Sequence, residues 1–235
     1  MTKIFTIGSG RNGTKSMAVI LGATFNKSFH EYQQLVKERR RTYIHMGYAG
    51  PQLKAKIRKY QKMGEFHDSD NCNTVFMHHL CKAFPDAKIL LPIGSVRSFV
   101  RAHRAWGIMG PKDKNVNTRM FPTDNCWANW PIVAKLAWLW GKRNIEAIKR
   151  SDRKRLMVFR TKDISKKLEE IFRFVGKPIN NRAVKLAKAR HNKLTWDTEV
   201  VRAVEREIDQ NMEYIERAVI PFKRAIERFY PHVFK

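Results

Sequence analysis

Acidic side chains are scarce in this sequence: 21 Asp and Glu stand against 47 Lys and Arg in 235 residues, a formal charge of +26 at pH 7. The shortage calls for an anionic partner, and composition alone does not separate nucleic acid, an acidic glycan or lipid surface, and a polyphosphorylated cofactor. Cysteine is also scarce. Cys72, Cys81 and Cys126 cannot build a disulfide framework, and their spacings match no zinc pattern. Long apolar runs are missing as well. Ile132 to Ala134 and Ala137 to Trp140 are cut short by Lys135 and Lys142, far below the roughly 20 residues of a membrane-spanning helix. The N-terminus carries one Lys and a few apolar residues before its glycines begin, unlike a secretory or transit peptide, so the expected location is cytoplasmic. No repeat, low-complexity tract or linker interrupts the chain, and a single domain over residues 1–235 is expected. What the chain does have is apolar mass. With 43% hydrophobic residues, including fourteen Phe and six Trp, it can bury a core and is no disordered basic tail.

Short β-prone stretches recur at Lys3–Ile7, Thr24–Phe29, Glu65–Asp68, Lys88–Ile93 and Arg155–Arg160, with helix-compatible segments between them. Strands alternating with helices predict an α/β fold with a parallel sheet. Beyond Arg160 the pattern turns helical. Ile164, Leu168, Ile171, Phe172 and Val175 share a helical spacing that ends at Gly176-Lys177-Pro178. A long last helix, about Thr198 to Phe229, is expected to be kinked or split by Pro221.

The most informative stretch is Lys3 to Met17: an apolar strand, the turn Gly8-Ser9-Gly10-Arg11-Asn12-Gly13, and a helix that opens with Thr14-Lys15-Ser16. Glycines let the backbone fold back and aim several N–H groups into one concavity, and the helix adds the positive end of its dipole. Arg11 and Lys15 add charge, and Thr14 and Ser16 add hydroxyls. This is phosphate-loop architecture, although a nucleotide-triphosphatase loop would place Lys directly after Gly13, where Thr14 stands. The two best later strands end in Ile93-Gly94 and Phe159-Arg160 rather than in a magnesium-holding Asp, which disfavours metal-dependent phosphoryl transfer.

Gly10-Arg11-Asn12-Gly13-Thr14-Lys15-Ser16 resembles the 5′-phosphosulfate loop of the sulfotransferases. Five further segments resemble the family's: Ala83-Phe84-Pro85-Asp86-Ala87-Lys88-Ile89-Leu90-Leu91, leading into a central strand; Val96 to Val100, opening the next helix; and Trp140 to Asn144, Arg155 to Ile164 and Leu168 to Gly176. The similarity covers about residues 3 to 195. It implies a three-layer, P-loop-like α/β fold whose central parallel sheet of about five strands is flanked by helices, with a helical C-terminal region. It also implies transfer of the sulfuryl group of 3′-phosphoadenosine 5′-phosphosulfate (PAPS) to a hydroxyl or amine by in-line displacement, with 3′-phosphoadenosine 5′-phosphate (PAP) as product and no metal. The implied partners are that anionic nucleotide and a hydroxyl-bearing acceptor such as a glycan or glycolipid; nucleic acid would bind only non-specifically.

The resemblance breaks at the usual 3′-phosphate clamp, an Arg at the strand end and a Ser eight residues on, for which this chain offers Ile93 or Gly94 and Arg101 or Ala102. Ser95, Arg97 and Arg101 form an alternative basic clamp, because Arg97, Arg101 and Arg104 are spaced to share a helical face. The other reading of that face is a solvated one. For the base, the family's position near the end of the second or third strand is offered by His30-Glu31 and by His67-Asp68. Glu31 is the first choice with His30 as helper, Asp68 and His67 following; Glu31 is equally readable as a helix-start residue. Arg11 and Lys15 are the cations for the leaving oxygen. Gly107–Asn129 reads as an acceptor lid, and Arg190 to Lys193 as a weaker closing loop. Two rival classes stay open: a P-loop small-molecule kinase, and a basic protein that binds nucleic acid or anions without catalysis.

Overall fold

The computed structural model describes residues 2–9, 13–30, 50–70, 73–109, 129–189 and 197–234. They group into two compact units, 1–93 with 146–193 and 94–145 with 194–235.

The first unit is built on five parallel strands: β1 (Lys3–Thr6), β2 (Ser28–His30), β3 (Phe66–Ser69), β4 (Lys88–Ile93) and β5 (Leu156–Arg160), in the order β2-β3-β1-β4-β5. The expected α/β class and its five-stranded parallel sheet are therefore present. Alternation along the strands sorts the core to the two faces of the sheet. Ile4, Leu90, Met157 and Phe159 pack with α1 (Thr14–Leu21) and with the helices Leu168–Val175 and Asn181–Lys188, named α6 and α7 below. Phe5, one residue along, turns to the other face. There it meets Phe66 at 5.7 Å and Phe84 at 5.7 Å, while Tyr60 of α2 (Pro51–Gln61) lies 4.3 Å from Phe66. Helix α3 (Asn73–Ala83) connects β3 to β4. Helices on both faces of a parallel sheet make the three-layer arrangement in which ligand sites form beyond the carboxyl ends of the strands.

β4 occupies the predicted residues, whereas β2 is shorter than its β-prone stretch. A turn follows α1, and Phe25 buries in the core instead of joining a strand. α6 stops where predicted: Gly176 sits at φ +70°, and the Lys177 N–H returns to Phe172 O at 3.0 Å.

The second unit holds α4 (Val96–Met109), most of α5 (Ile132–Arg150), α8 (Thr198–Gln210) and α9 (Met212–Phe229). The last helix is split, as expected, but at Asn211 rather than Pro221. Asn211 takes φ −118°, and its side-chain amide donates to Glu207 O at 2.7 Å, capping a carbonyl that the next helical turn would otherwise use. Pro221 lies inside α9, which continues through it. No described helix is long and apolar enough to cross a membrane.

Candidate active site

The glycine loop runs from the end of β1 into α1, and its described ends are tightly held. Gly13 has φ +85°, the left-handed region, and a Cβ added there would stand 2.8 Å from Thr161 Cγ2. Only glycine fits both the turn and the approach. The helix that follows has no side-chain cap at its start and no acidic residue in its first turn, while Lys15 is exposed and Ser16 partly so. Uncapped N–H groups and a cation at a helix start are what an anion needs. Thr14, by contrast, is buried, and its carbonyl accepts the Ser69 hydroxyl at 2.6 Å. Gly10, Arg11 and Asn12 of the loop, and Glu31, lie outside the described residues, as do Arg190–Lys193 and most of the expected lid. Gly107 to Met109, the start of that lid, belong to α4.

Two of the base candidates separate clearly by environment. His30, at the exposed end of β2, has Nδ1 3.2 Å from Ser69 O. A carbonyl only accepts, so Nδ1 carries a proton and, in the neutral ring, Nε2 is the nitrogen with the lone pair. His67 is fully buried between two hydroxyls, with Thr6 Oγ1 2.8 Å from Nε2 and Ser28 Oγ 2.9 Å from Nδ1. The Ser28 hydroxyl donates to Ala18 O at 2.8 Å, so Nδ1–H donates to Ser28 and Nε2 accepts from Thr6. Burial depresses the His67 pKa to about 3. It is a neutral strand-to-strand bridge.

Asp68 is also fully buried. Lys56 of α2 lies 2.7 Å from its Oδ2, which also accepts from Asn73 Nδ2 at 2.8 Å; the same ammonium reaches Asn73 Oδ1 at 3.3 Å and lies 3.7 Å from Asp70 Oδ2. Asp68 Oδ1 has no hydrogen-bond partner among the described residues. Among the described residues no group of three or more His, Cys, Asp or Glu side chains is placed to hold a metal ion. Lys56 was not singled out in the sequence, where it reads as one more cation on a basic helix.

In the second unit, Ser95 caps α4, its Oγ accepting the Ser98 N–H at 3.2 Å. Arg97, Arg101 and Arg104 do share a face, and that face meets acids of α8. Arg97 donates to Glu205 and Asp209 at 2.8 Å each, Arg101 to Glu205 at 2.9 Å, and Arg104 to Glu207 at 2.8 Å. Asp209 and Glu205 raise the Arg97 pKa above its ordinary value, and Arg97 lowers that of Asp209. The face that the sequence offered as a phosphate clamp is thus engaged by carboxylates more than a hundred residues away in the chain.

His78 lies on α3 beside His79, and burial lowers its pKa, while burial raises that of the Cys81 thiol.

Comparison with known proteins agrees with this geometry. No curated protein sequence matches the chain. Among solved structures it is similar to the sulfotransferase domain from the curacin biosynthetic pathway, with TM-score 0.51 and 12% identity over 84% of this chain and 81% of that one. It is also similar to the sulfotransferase domain from the Synechococcus PCC 7002 olefin synthase, with TM-score 0.51 and 11% identity over 95% and 94% of the two chains. At such identities the likeness is one of fold. The sequence model of the sulfotransferase domain matches residues 3–184, which takes in the glycine loop, all five strands and helices α1 to α6. By that match over most of its length, the chain belongs to the sulfotransferase family.

Proposed function

We propose that this protein is a PAPS-dependent sulfotransferase acting on a hydroxyl, or an amine, of an acceptor, with glycans and glycolipids the first class to test. The observation that carries this reading is the start of α1: Gly13 in the left-handed region, a helix end without cap or acid, and Lys15 exposed beside it. PAPS, when bound, supplies an activated sulfuryl group and needs no metal. Residues Gly10 to Ser16 would hold its 5′-phosphosulfate through backbone N–H groups, and Arg11 and Lys15 would neutralise the charge that develops on the leaving oxygen.

His30, exposed at the end of β2, is the base this reading assigns: with Nδ1–H donating to Ser69 O, the neutral ring takes the acceptor proton at Nε2. Glu31, the adjacent carboxylate, is its rival. Asp68 is given a structural role, because its Oδ2 already receives Lys56 and Asn73. Arg97 and Arg101 would serve the 3′-phosphate only by exchanging carboxylates for phosphate, and Ser95 is spent as a helix cap. Nucleic acid would be bound through bulk charge alone, with the steep salt dependence that implies.

The test is transfer of labelled sulfur from PAPS to a panel of glycan, glycolipid and small hydroxyl or amine acceptors in the presence of a chelator. Metal-independent transfer supports the reading, and loss of about 100-fold or more in turnover in whichever of His30→Gln and Glu31→Gln is affected names the base. Failure of every acceptor, with phosphoryl transfer from ATP and magnesium in its place, overturns it.

A further inference from the structure

Gly8 is where β1 leaves the sheet. The ladder to β3 ends at Thr6 opposite Ser69, with the Asp70 N–H donating to Thr6 O at 3.1 Å; toward β4, the Ile7 N–H donates to Leu90 O at 2.9 Å. Gly8 is buried, so its own peptide groups need partners that the strands no longer offer. One side chain answers both. The Gly8 N–H donates to Thr74 Oγ1 at 3.0 Å, and the Thr74 hydroxyl donates back to Gly8 O at 3.0 Å. At the other end of the loop the Ser69 hydroxyl donates to Thr14 O at 2.6 Å. Both hydroxyls are buried, Ser69 closing β3 and Thr74 standing in the first turn of α3.

We propose that Ser69 and Thr74 are positioning residues for anion binding: as a pair they hold Thr14 and Gly8, the described residues at the two ends of the loop. The proposal rests on the reading of that loop as the anion site. Neither residue contacts the anion. Each acts by holding one end of that loop, and a displacement of about 1 Å in groups that position a ligand is felt as a large loss of function. Hydroxyl chemistry is the requirement. Serine at position 74 supplies the same donor and acceptor, whereas valine keeps the shape of threonine and supplies neither.

The experiment compares Thr74→Val, Thr74→Ser, Ser69→Ala and a control, Val175→Ala, which thins the core under α6 away from the loop. Each variant is measured for thermal midpoint, for PAP affinity by calorimetry, and for amide hydrogen exchange of the ligand-free protein. The expected result is about tenfold weaker PAP binding in Thr74→Val and Ser69→Ala, wild-type affinity within about twofold in Thr74→Ser, and no change in Val175→Ala at a comparable loss of thermal midpoint. Exchange at Gly8 should quicken in Thr74→Val while β4 amides stay protected. Ser69→Ala carries the affinity comparison if Thr74→Val does not fold. Wild-type affinity in the hydroxyl-less variants, or an equal loss in Val175→Ala, overturns the proposal. If the wild-type protein does not bind PAP, the cofactor reading falls by itself, and unchanged exchange at Gly8 in Thr74→Val and at the loop in Ser69→Ala then overturns this one.

Discussion

Thr6 Oγ1 and His67 Nε2 lie 2.8 Å apart at the buried centre of the sheet, and the other ring nitrogen reaches Ser28, so one neutral imidazole joins three adjacent strands. Its folded pKa of about 3 lies below the 6.5 of an ordinary histidine. Below pH 6.5 the unfolded chain binds a proton that the native protein refuses. The stabilising contribution is therefore complete above that value and is lost as pH falls from 6.5 toward 3, with a slope approaching about 1.4 kcal/mol per pH unit. Chemical denaturation between pH 4 and 7 should show this slope in the wild type, and His67→Gln should reduce it by one proton. An identical slope in the variant would remove His67 from the explanation.

Lys56 is a fully buried ammonium facing two buried carboxylates. Lys56→Met would leave both without it, at a cost of about 3–5 kcal/mol, the usual scale for breaking a buried pair from one side. Asp68→Asn should cost less, since Asp70 still faces Lys56. Urea unfolding of the two variants gives the order, and the reverse order would show that Lys56 is not the group these carboxylates depend on.

Gly13→Ala meets two penalties at once. The left-handed backbone costs a β-carbon about 1–2 kcal/mol, and that carbon would stand 2.8 Å from Thr161 Cγ2. Lower thermal stability together with lost PAP binding is expected. A variant that keeps wild-type values of both would mean that the turn is more adaptable than its geometry indicates.

Glu205 receives both Arg97 and Arg101. Because these groups are partly exposed, each pair is worth about 0.2–1 kcal/mol at low salt and less at high salt. Glu205→Gln should lower stability measurably in dilute buffer, with the difference from wild type shrinking in 0.5 M NaCl, a concentration at which the screening length is about 4 Å. Asp209, whose carboxyl Arg97 holds below its usual pKa, adds stability above the ordinary carboxylate range that is lost as pH falls through its own value. A salt-independent Glu205→Gln effect would point to packing instead.

Much of the fold was legible because its determinants are local. The continuous apolar run of β4, the Gly176 stop and the passage from β1 to the start of α1 are each written in neighbouring residues, and these features lie where the sequence placed them. What was hidden depends on distant chain. Thr74 and Gly8 are 66 positions apart, and nothing around Asn73-Thr74 marks a clamp on the loop. Arg97 and Arg101 read as a free cationic face because the acids that meet them come from α8, over a hundred positions on. The split at Asn211 was missed for a different reason. Proline is the stronger helix breaker by propensity, yet asparagine, by bonding its side chain to a backbone carbonyl, ended the helix first.

The central claim is that the glycine loop binds the 5′ anion of an adenosine 3′,5′-bisphosphate without metal. Calorimetric titration of the purified protein with PAP in the presence of a chelator, beside ATP with magnesium and an Arg11→Ala variant, tests it most directly. Saturable, metal-independent PAP binding that Arg11→Ala abolishes is the predicted result. Preference for magnesium–ATP, or no binding of PAP, would contradict it.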